Sequence, residues 1–169
     1  MDWLFFILLV VFVKHRFYWK ARKINRKNED KKVLFSHRGK TKTFPENTLN
    51  AFLDAVKSGY EAIEVDLVRT KDNELVCSHN LDLETETNGL GYFKNYTLDE
   101  LKNIKAGINS HPEKQQAITD FKTLLGSVPG SIYLNIELKT EKWFDLKPAI
   151  ILNRYRKEGL LKRKYIVST

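Results

Sequence analysis

The sequence predicts an α/β domain built on a parallel sheet, and three observations lead to this fold class. Five short apolar runs have the length and composition of buried strands. Helical stretches fall between most of these runs, and such alternation is typical of parallel sheets with right-handed crossovers. The chain has 169 residues, which is enough for one domain with a real core.

The elements follow in a regular order along the chain. The predicted strands are KVLFSH (32–37), AIEVDLV (62–68), ELVCSH (74–79), SIYLNIEL (131–138) and KYIVS (164–168). The predicted helices are PENTLNAFLDAVKSG (45–59), TLDELKNI (97–104), ITDFKTLLGSVPG (118–130) and WFDLKPAIILNRYRKEG (143–159). Pro45 and the capping box of Thr97 and Glu100 mark helix starts, while Gly59 and Gly159 mark helix ends.

The first 32 residues differ in composition from the rest of the chain. They begin with an uncharged run, WLFFILLVVFV (3–13), and then hold nine Lys and Arg against three acidic residues. The net charge of +8 therefore lies mostly in this leader, and the body is close to neutral. This distribution argues against a nucleic-acid partner, and the single Cys77 excludes an internal disulfide.

The leader predicts a membrane location. We expect residues 1–20 to form a hydrophobic helix that anchors the chain, residues 21–32 to be a basic linker and residues 33–169 to be the folded domain. Positive charges after the apolar run place the domain on the cytoplasmic side. Because the uncharged run is short for a span of roughly 20 residues, a helix at the membrane interface and a buried N-terminal core helix are alternatives.

The second predicted strand has two chemically different faces. Ile63, Val65 and Leu67 point one way, and Glu64 and Asp66 point the other way, because alternate residues of a strand share a face. The apolar face should meet the helices, so the carboxylates should face a barrel interior. Two buried carboxylates are costly without a cation, and oxygen ligands suit Mg²⁺ or Ca²⁺.

Further polar residues stand at the ends of the other strands. Glu137 and Lys139 share the polar face of the fourth strand, and Glu137 is a candidate third metal ligand. His37 and Arg38 follow the first strand, and His79 follows the third. Catalytic groups of strand–helix barrels lie at this C-terminal edge. Two histidines with a divalent cation can supply an acid and a base to a phosphate ester.

Each of these features also has a simpler interpretation when it is taken alone. A strand with alternating charges is usually a solvated edge strand, and a histidine at a strand end is often an ordinary polar residue. Cys77 shares a face with His79, which suggests a thiolate nucleophile. We favour a small buried hydrophobic residue at this position.

The order of the sequence blocks is more specific than any one of them. SHRG, PENTLNAF, AIEVDLVRTKDNELVCSHN, TNGLG, YTLDELK and LNIELK follow one another along the chain. This pattern closely resembles the glycerophosphodiester phosphodiesterase family, within the phospholipase-C-like phosphodiesterases, from about residue 33 to residue 169. The resemblance implies a TIM-type barrel. It also implies metal-dependent hydrolysis of glycerophosphodiesters, in lipid and glycerol metabolism, to glycerol phosphate and an alcohol such as choline or ethanolamine.

The resemblance implies a role for eight residues of this chain. His37 and His79 match the catalytic acid–base pair, Glu64, Asp66 and Glu137 match the metal ligands, Arg38 matches the phosphate-binding group with Lys139 nearby, and Glu46 matches a supporting carboxylate. The expected cation is Mg²⁺ or Ca²⁺. The resemblance implies a small glycerophosphodiester or a lysolipid at a membrane as the substrate.

The length of the chain raises a second hypothesis. The sequence reaches only about the first five strands of an eight-stranded barrel, so we expect an incomplete barrel. The alternative to an enzyme is a catalytically inactive remnant or half-barrel. It would be associated with a membrane and would bind only a cation or a partner, such as a missing C-terminal half-barrel.

Four positions depart from the pattern of the family. Asn80 stands where the family usually has Asp after the second histidine. Thr85 and Glu86 replace an Arg and a Thr, and Asn73 replaces a Gly in a turn. Asn is tolerated in such a turn because it adopts the left-handed backbone conformation readily.

Overall fold

The computed structural model of the chain describes residues 3–18, 32–142 and 144–168. The chain divides into two compact units, residues 1–32 and residues 33–169. Most of the predicted basic linker, residues 21–32, lies outside the described residues. The predicted boundaries of the linker therefore stay a prediction.

The described part of the first unit is one helix, α1 (Trp3–Tyr18), of 16 residues. At about 1.5 Å per residue it extends roughly 24 Å, which is short of the roughly 30 Å hydrocarbon core of a bilayer. In the described residues, no helix combines the length and the apolar character that a membrane crossing requires. The predicted membrane location, with an N-terminal anchor and the domain on the cytoplasmic side, is wrong on this finding.

The second unit is an α/β domain. Its described strands are β1 (Phe35–Ser36), β2 (Ala62–Arg69), β3 (Leu75–Cys77), β4 (Lys105–Ala106), β5 (Gln116–Ala117), β6 (Tyr133–Leu138) and β7 (Tyr165–Ser168). Its described α-helices are α2 (Leu49–Lys57), α3 (Phe121–Ser127) and α4 (Lys147–Lys157). Three short 3₁₀ helices (Phe93–Asn95, Glu100–Asn103 and Pro112–Lys114) lie in the connection between β3 and β5.

The main sheet has the strand order β1-β2-β6-β7, and these four strands are parallel. This arrangement confirms the predicted parallel α/β sheet. Strands β1 and β7 are the two edges, so within the described residues the sheet does not close into a barrel.

Strand β3 differs from the prediction because it is antiparallel to β2. It pairs with the last residues of β2, beyond the point where β1 pairs with the first two. The physical reason is the length of the connection. Residues 70–74 form a tight turn, in which Thr70 N–H donates to the Glu74 carbonyl at 3.0 Å. A parallel crossover would need a dozen or more residues.

The two faces of β2 are divided as the sequence predicts. Ile63, Val65 and Leu67 are fully buried and belong to the main hydrophobic core. This core also contains apolar residues of β6, α2, α3 and α4, among them Phe52, Phe121, Leu134, Ile136, Leu152 and Tyr155. The helices therefore cover one face of the sheet and leave the carboxylates on the other.

A second, smaller core lies beneath residues 81–118. It consists of Val68, Val76, Leu83, Phe93 and Leu101. Strands β4 and β5 form a two-stranded antiparallel sheet in this region that the sequence did not indicate. The predicted helix 97–104 is only a 3₁₀ turn, but its predicted capping box forms, since Thr97 N–H donates to Glu100 Oε2 at 2.7 Å.

Helix α2 begins later than the prediction. Its N-cap is Thr48, whose hydroxyl donates to the Pro45 carbonyl at 2.6 Å and accepts from Ala51 N–H. Residues 45–47 are therefore a turn that precedes the helix. The predicted end of the helix at Gly59 is confirmed by its left-handed φ of 86°.

Candidate functional site

Three carboxylates meet at the centre of the polar face of the sheet. Glu64 and Asp66 lie on β2 and Glu137 lies on β6, where it is the direct register partner of Asp66. Each offers one oxygen atom, and these atoms lie within 4.8 Å of one another. The structure thus brings together the three residues that the sequence suggested as metal ligands.

Burial makes this cluster electrostatically unfavourable on its own. Asp66 is fully buried and Glu64 is only 6% exposed. Burial, and next the charge of Asp66, raise the pKa of Glu64 to about 7. A divalent cation would favour the ionised form of all three carboxylates, so the oxygen donor set fits such an ion.

Arg38 reaches the cluster from the turn after β1. Its φ of 57° is left-handed, and its backbone N–H donates to Glu64 Oε2 at 3.0 Å. Its Nε lies 3.1 Å from Asp66 Oδ2, and its Nη1 donates to both oxygens of Glu46 at 3.1 Å. Glu46 therefore holds the guanidinium beside the carboxylates.

Gly39 explains why the His-Arg-Gly turn requires a glycine. Its φ is 85°, and a Cβ there would lie only 2.7–2.8 Å from the backbone and side chain of Ala51. Since Ala51 is in the first turn of α2, the missing side chain lets the two segments cross closely. This crossing holds Arg38 and Glu46 in one site.

Lys139 is the second cation at the cluster. Its Nζ lies 3.1 Å from Asp66 Oδ1 and 2.5 Å from Glu137 Oε1. Burial opposes its charge, but the hydrogen bonds to Glu137 and Asp66 leave the pKa of Lys139 raised. Among the described residues of the site, two cationic side chains, those of Arg38 and Lys139, lie against four carboxylates. When all four carboxylates are ionised, two negative charges are not balanced by these side chains.

The two histidines lie at the predicted ends of their strands. His37 follows β1 directly and is exposed, and His79 is half-buried after β3. Because β3 is antiparallel, it returns along β2 towards the carboxylates, and Ser78 N–H donates to the Asp66 carbonyl at 3.1 Å. His79 is therefore brought back to the cluster by the hairpin rather than by a parallel strand end.

Asn47 is a site residue that the sequence reasoning missed. Its Nδ2 donates to Asp66 Oδ2 at 2.9 Å, and its Oδ1 accepts from Asp66 N–H at 3.1 Å. It is buried and has a φ of 54°. The sequence signal for this residue is the Asn of PENT, which directly follows Glu46. It was overlooked because the position was assigned to a helix.

Glu86 is a second residue near the site to which no role was given. It lines a pocket together with Glu46, Asn47 and His79. Burial, and next the charge of Glu46, raise the pKa of its carboxyl group, while His111, Arg38 and His79 lower it. The sequence identified Glu86 only as a departure from the family pattern.

Cys77 lies at the base of the same pocket but does not have the properties of a nucleophile. It is 5% exposed, and burial raises the pKa of its thiol well above the ordinary value. A protonated buried thiol is inert. This result supports its interpretation as a small buried hydrophobic residue.

The sequence matches one family model. Residues 37–161 match the model of the glycerophosphoryl diester phosphodiesterase family. This range contains the three carboxylates, both candidate histidines, Arg38 and Lys139.

Curated proteins with the same family's name are similar to this chain. A glycerophosphodiester phosphodiesterase of Caldanaerobacter subterraneus is 44% identical over 78 residues, which cover 46% of this chain and 32% of that protein. A glycerophosphodiester phosphodiesterase of Bacillus altitudinis is 39% identical over 110 residues, which cover 63% of this chain and 44% of that protein. The chain therefore spans less than half the length of these relatives.

Solved structures are similar as well. A glycerophosphodiester phosphodiesterase from Agrobacterium tumefaciens is 27% identical with a TM-score of 0.68, covering 82% of this chain and 59% of that chain. A phosphodiesterase from Oleispira antarctica, solved in complex with the product sn-glycerol-3-phosphate, is 25% identical with a TM-score of 0.72. This match covers 80% of this chain and 56% of that chain.

Proposed function

Because the chain belongs to the glycerophosphoryl diester phosphodiesterase family, we propose that it takes part in metal-dependent hydrolysis of glycerophosphodiesters to glycerol phosphate and an alcohol. The observation that carries this proposal is the cluster of Glu64, Asp66 and Glu137, with two cationic side chains against it. The product bound to the Oleispira antarctica relative supports a small phosphate ester as the ligand.

The three carboxylates would hold a divalent cation. Mg²⁺ and Ca²⁺ both prefer oxygen ligands of this kind. Burial and the charge of Asp66 raise the pKa of Glu64, which supports a positive charge at this cluster. When bound, such an ion supplies charge stabilisation to a phosphate oxygen.

Arg38 and Lys139 bind the phosphate of the substrate in this proposal. Both side chains lie against the carboxylate cluster and carry several hydrogen-bond donors. The contact with Glu46 orients the guanidinium of Arg38 before substrate binds. Such preorganised donors stabilise the negative charge that develops on phosphate oxygens in the transition state.

His37 and His79 move the protons. Hydrolysis of the diester requires a base that removes a proton from water and an acid that protonates the leaving alcohol. The two histidines follow neighbouring strands on the same side of β2 and are both accessible. Their partly exposed positions suit a pair that exchanges protons with solvent between turnovers.

The catalytic domain in this proposal is residues 33–169. The family match over residues 37–161 and the compact unit of residues 33–169 support this assignment.

The proposal is tested by the release of glycerol phosphate from glycerophosphocholine and glycerophosphoethanolamine with Mg²⁺ or Ca²⁺. We expect His37→Ala to reduce turnover at least about 100-fold, since general acid–base catalysis contributes that much, with unchanged circular dichroism because His37 is exposed. Lys42→Ala, an exposed change a few residues further on, is the control. Equal turnover in wild type and His37→Ala would contradict the proposed mechanism.

A further inference from the structure

A pocket opens beside the carboxylate cluster. Glu46, Asn47, His79 and Glu86 contribute its polar lining. Asn47 is bonded to Asp66 on its other side, so the pocket adjoins the proposed metal site. An alcohol that leaves beside His79 would therefore enter the surroundings of Glu86.

The backbone around Glu86 is fixed in place by its neighbours. The Glu86 carbonyl accepts from Gly107 N–H at 2.7 Å, and Thr87 forms a bridge with Ala106 of β4. Gly107 has a φ of 87°, and a Cβ there would overlap Pro45, the residue before Glu46. The β4 segment thus holds Glu86 against the turn that carries Glu46 and Asn47.

The carboxylate of Glu86 is available to a ligand. It is half-buried, and no hydrogen bond to it is formed by the residues that the structure describes. The charged or titratable groups that act on the pKa of Glu86 are Glu46, His111, Arg38 and His79. Arg38 is already held by Glu46 and Asp66, so Glu86 is not needed to neutralise it.

Part of the remaining lining of the pocket is apolar. Two further polar residues, Ser78 and Thr87, also line it, and the apolar part consists of Cys77, Phe93, Ala106 and Ile118. A half-buried carboxylate beside apolar side chains is suited to an alkylammonium group, whose charge meets the carboxylate while its carbon atoms meet the apolar surface. A neutral alcohol would leave the charge of the carboxylate without a cationic partner.

We propose that Glu86 makes this pocket selective for diesters whose leaving alcohol carries an ammonium group. The inference rests on the proposed function, and it adds the assumption that His79 is the group that protonates the leaving alcohol. It deepens that function by assigning a substrate class and by giving a role to a residue in which this chain departs from the family pattern.

The test compares two diesters that differ by one charge. One is glycerophosphocholine, and the other is the glycerol phosphate diester of 3,3-dimethylbutanol, in which carbon replaces the ammonium nitrogen. Dissociation constants are measured by calorimetry for the full chain carrying His37→Ala, which suppresses turnover. The same measurement is made after adding Glu86→Gln or, as a control, Glu113→Gln. Glu113 is an exposed residue beyond the same β4 segment. The measurements are made at pH 8, because burial raises the pKa of the Glu86 carboxyl group.

We expect the choline diester to bind about three- to tenfold more tightly than its neutral analogue, as a partly exposed charge pair allows. Glu86→Gln should remove this preference, and Glu113→Gln should preserve it. Equal binding of the two diesters, an equal loss for both in Glu86→Gln, or no binding of either would overturn the inference. Selective binding without hydrolysis by the wild-type chain would sustain the pocket assignment and reject the proposed hydrolysis.

Discussion

At the scale of single residues, Asn47 connects the backbone and the chemistry of the site. Its side chain both donates to and accepts from Asp66, and its own N–H donates to the Arg38 carbonyl at 3.0 Å. It therefore joins the turn before α2 to β2 and to the turn after β1. Loss of its side chain would leave buried polar atoms of Asp66 without these partners.

We predict that Asn47→Ala lowers the free energy of unfolding by about 2 to 3 kcal/mol, from lost hydrogen bonds and from the left-handed backbone. Asn47→Gly tolerates the φ of 54° and should show mainly the loss of the hydrogen bonds. Urea denaturation measures both, with Asn103→Ala as an exposed control. If Asn47→Ala and the control had the same free energy of unfolding, the hydrogen bonds to Asp66 would not contribute to stability.

Glu64 predicts a dependence of stability on pH in the absence of metal. Its pKa is about 7 in the folded chain against an ordinary value of 4.5, so the folded state binds the extra proton between these values. The stability that this proton provides is complete below about pH 4.5 and is lost as the pH rises through 7. The loss is of the order of 2 to 3 kcal/mol.

The measurement is urea denaturation in a chelator at pH 5 and pH 8, for wild type and Glu64→Gln. Other titrating groups are common to both proteins, so the difference between the two free energies isolates Glu64. We expect wild type to lose stability relative to Glu64→Gln as the pH rises. A difference that does not change with pH would show that Glu64 ionises normally.

Residues on strands were predictable, and residues that act through turns were not. The period of two in β2 and β6 placed Glu64, Asp66 and Glu137 on one face, and the structure places them there. Asn47 depends on a left-handed turn and on a contact 19 residues away in sequence. No local periodicity reports such a contact.

At the scale of elements, the hairpin of β2 and β3 is the feature that brings His79 back to the site. Its turn contains Asn73 with a φ of 60°. Thr70 stabilises the same turn, because its hydroxyl oxygen accepts from Glu74 N–H at 2.9 Å. The expectation that Asn73 adopts the left-handed conformation is confirmed.

We predict that Asn73→Gly stabilises the chain slightly or leaves it unchanged, within about 1 kcal/mol, because glycine has no steric cost at this φ. Asn73→Val should cost about 1 to 2 kcal/mol or more, because a β-branched residue is strained there. Asn103→Val, at a position without positive φ, is the control. Thermal denaturation checks the order, and a neutral Asn73→Val would show that the turn relaxes.

The main elements could be predicted, but their ends and the connection after β3 could not. All five predicted strands are present, although β1 has two residues where six were expected. Helix α2 starts at Leu49, after its N-cap Thr48, because a threonine N-cap prevails over the proline signal at Pro45. Strands β4 and β5 have two residues each and are set by long-range pairing, so they have no sequence period of their own.

At the scale of the whole molecule, the proposed site is built on the two central strands of the main sheet. The carboxylates come from β2 and β6, which are adjacent at the centre of the sheet, and the other site groups come from the connections around them. The chain spans 56–59% of the two solved relatives. The three carboxylates nevertheless meet, because they come from neighbouring strands rather than from opposite sides of a barrel.

The sequence predicted the fold class correctly because strands and helices alternate, and it failed on the membrane location. The apolar run at residues 3–13 suggested an anchor from composition alone. The helix that contains it has 16 residues, and a bilayer span needs about 20. The prediction of an anchor relied on the hydrophobicity of this segment, whereas the length of the helix decides whether it can cross a bilayer.

The central claim is that Glu64, Asp66 and Glu137 form a divalent cation site. Titration of the full chain with Mg²⁺ and with Ca²⁺ in a calorimeter tests it most directly, with Glu137→Gln as the site variant and the exposed Glu113→Gln as the control. We predict one bound ion per chain in wild type and in the control, and at least about tenfold weaker binding in Glu137→Gln, since a direct ligand is lost. Equal affinities in all three proteins, or no binding in wild type, would contradict the claim.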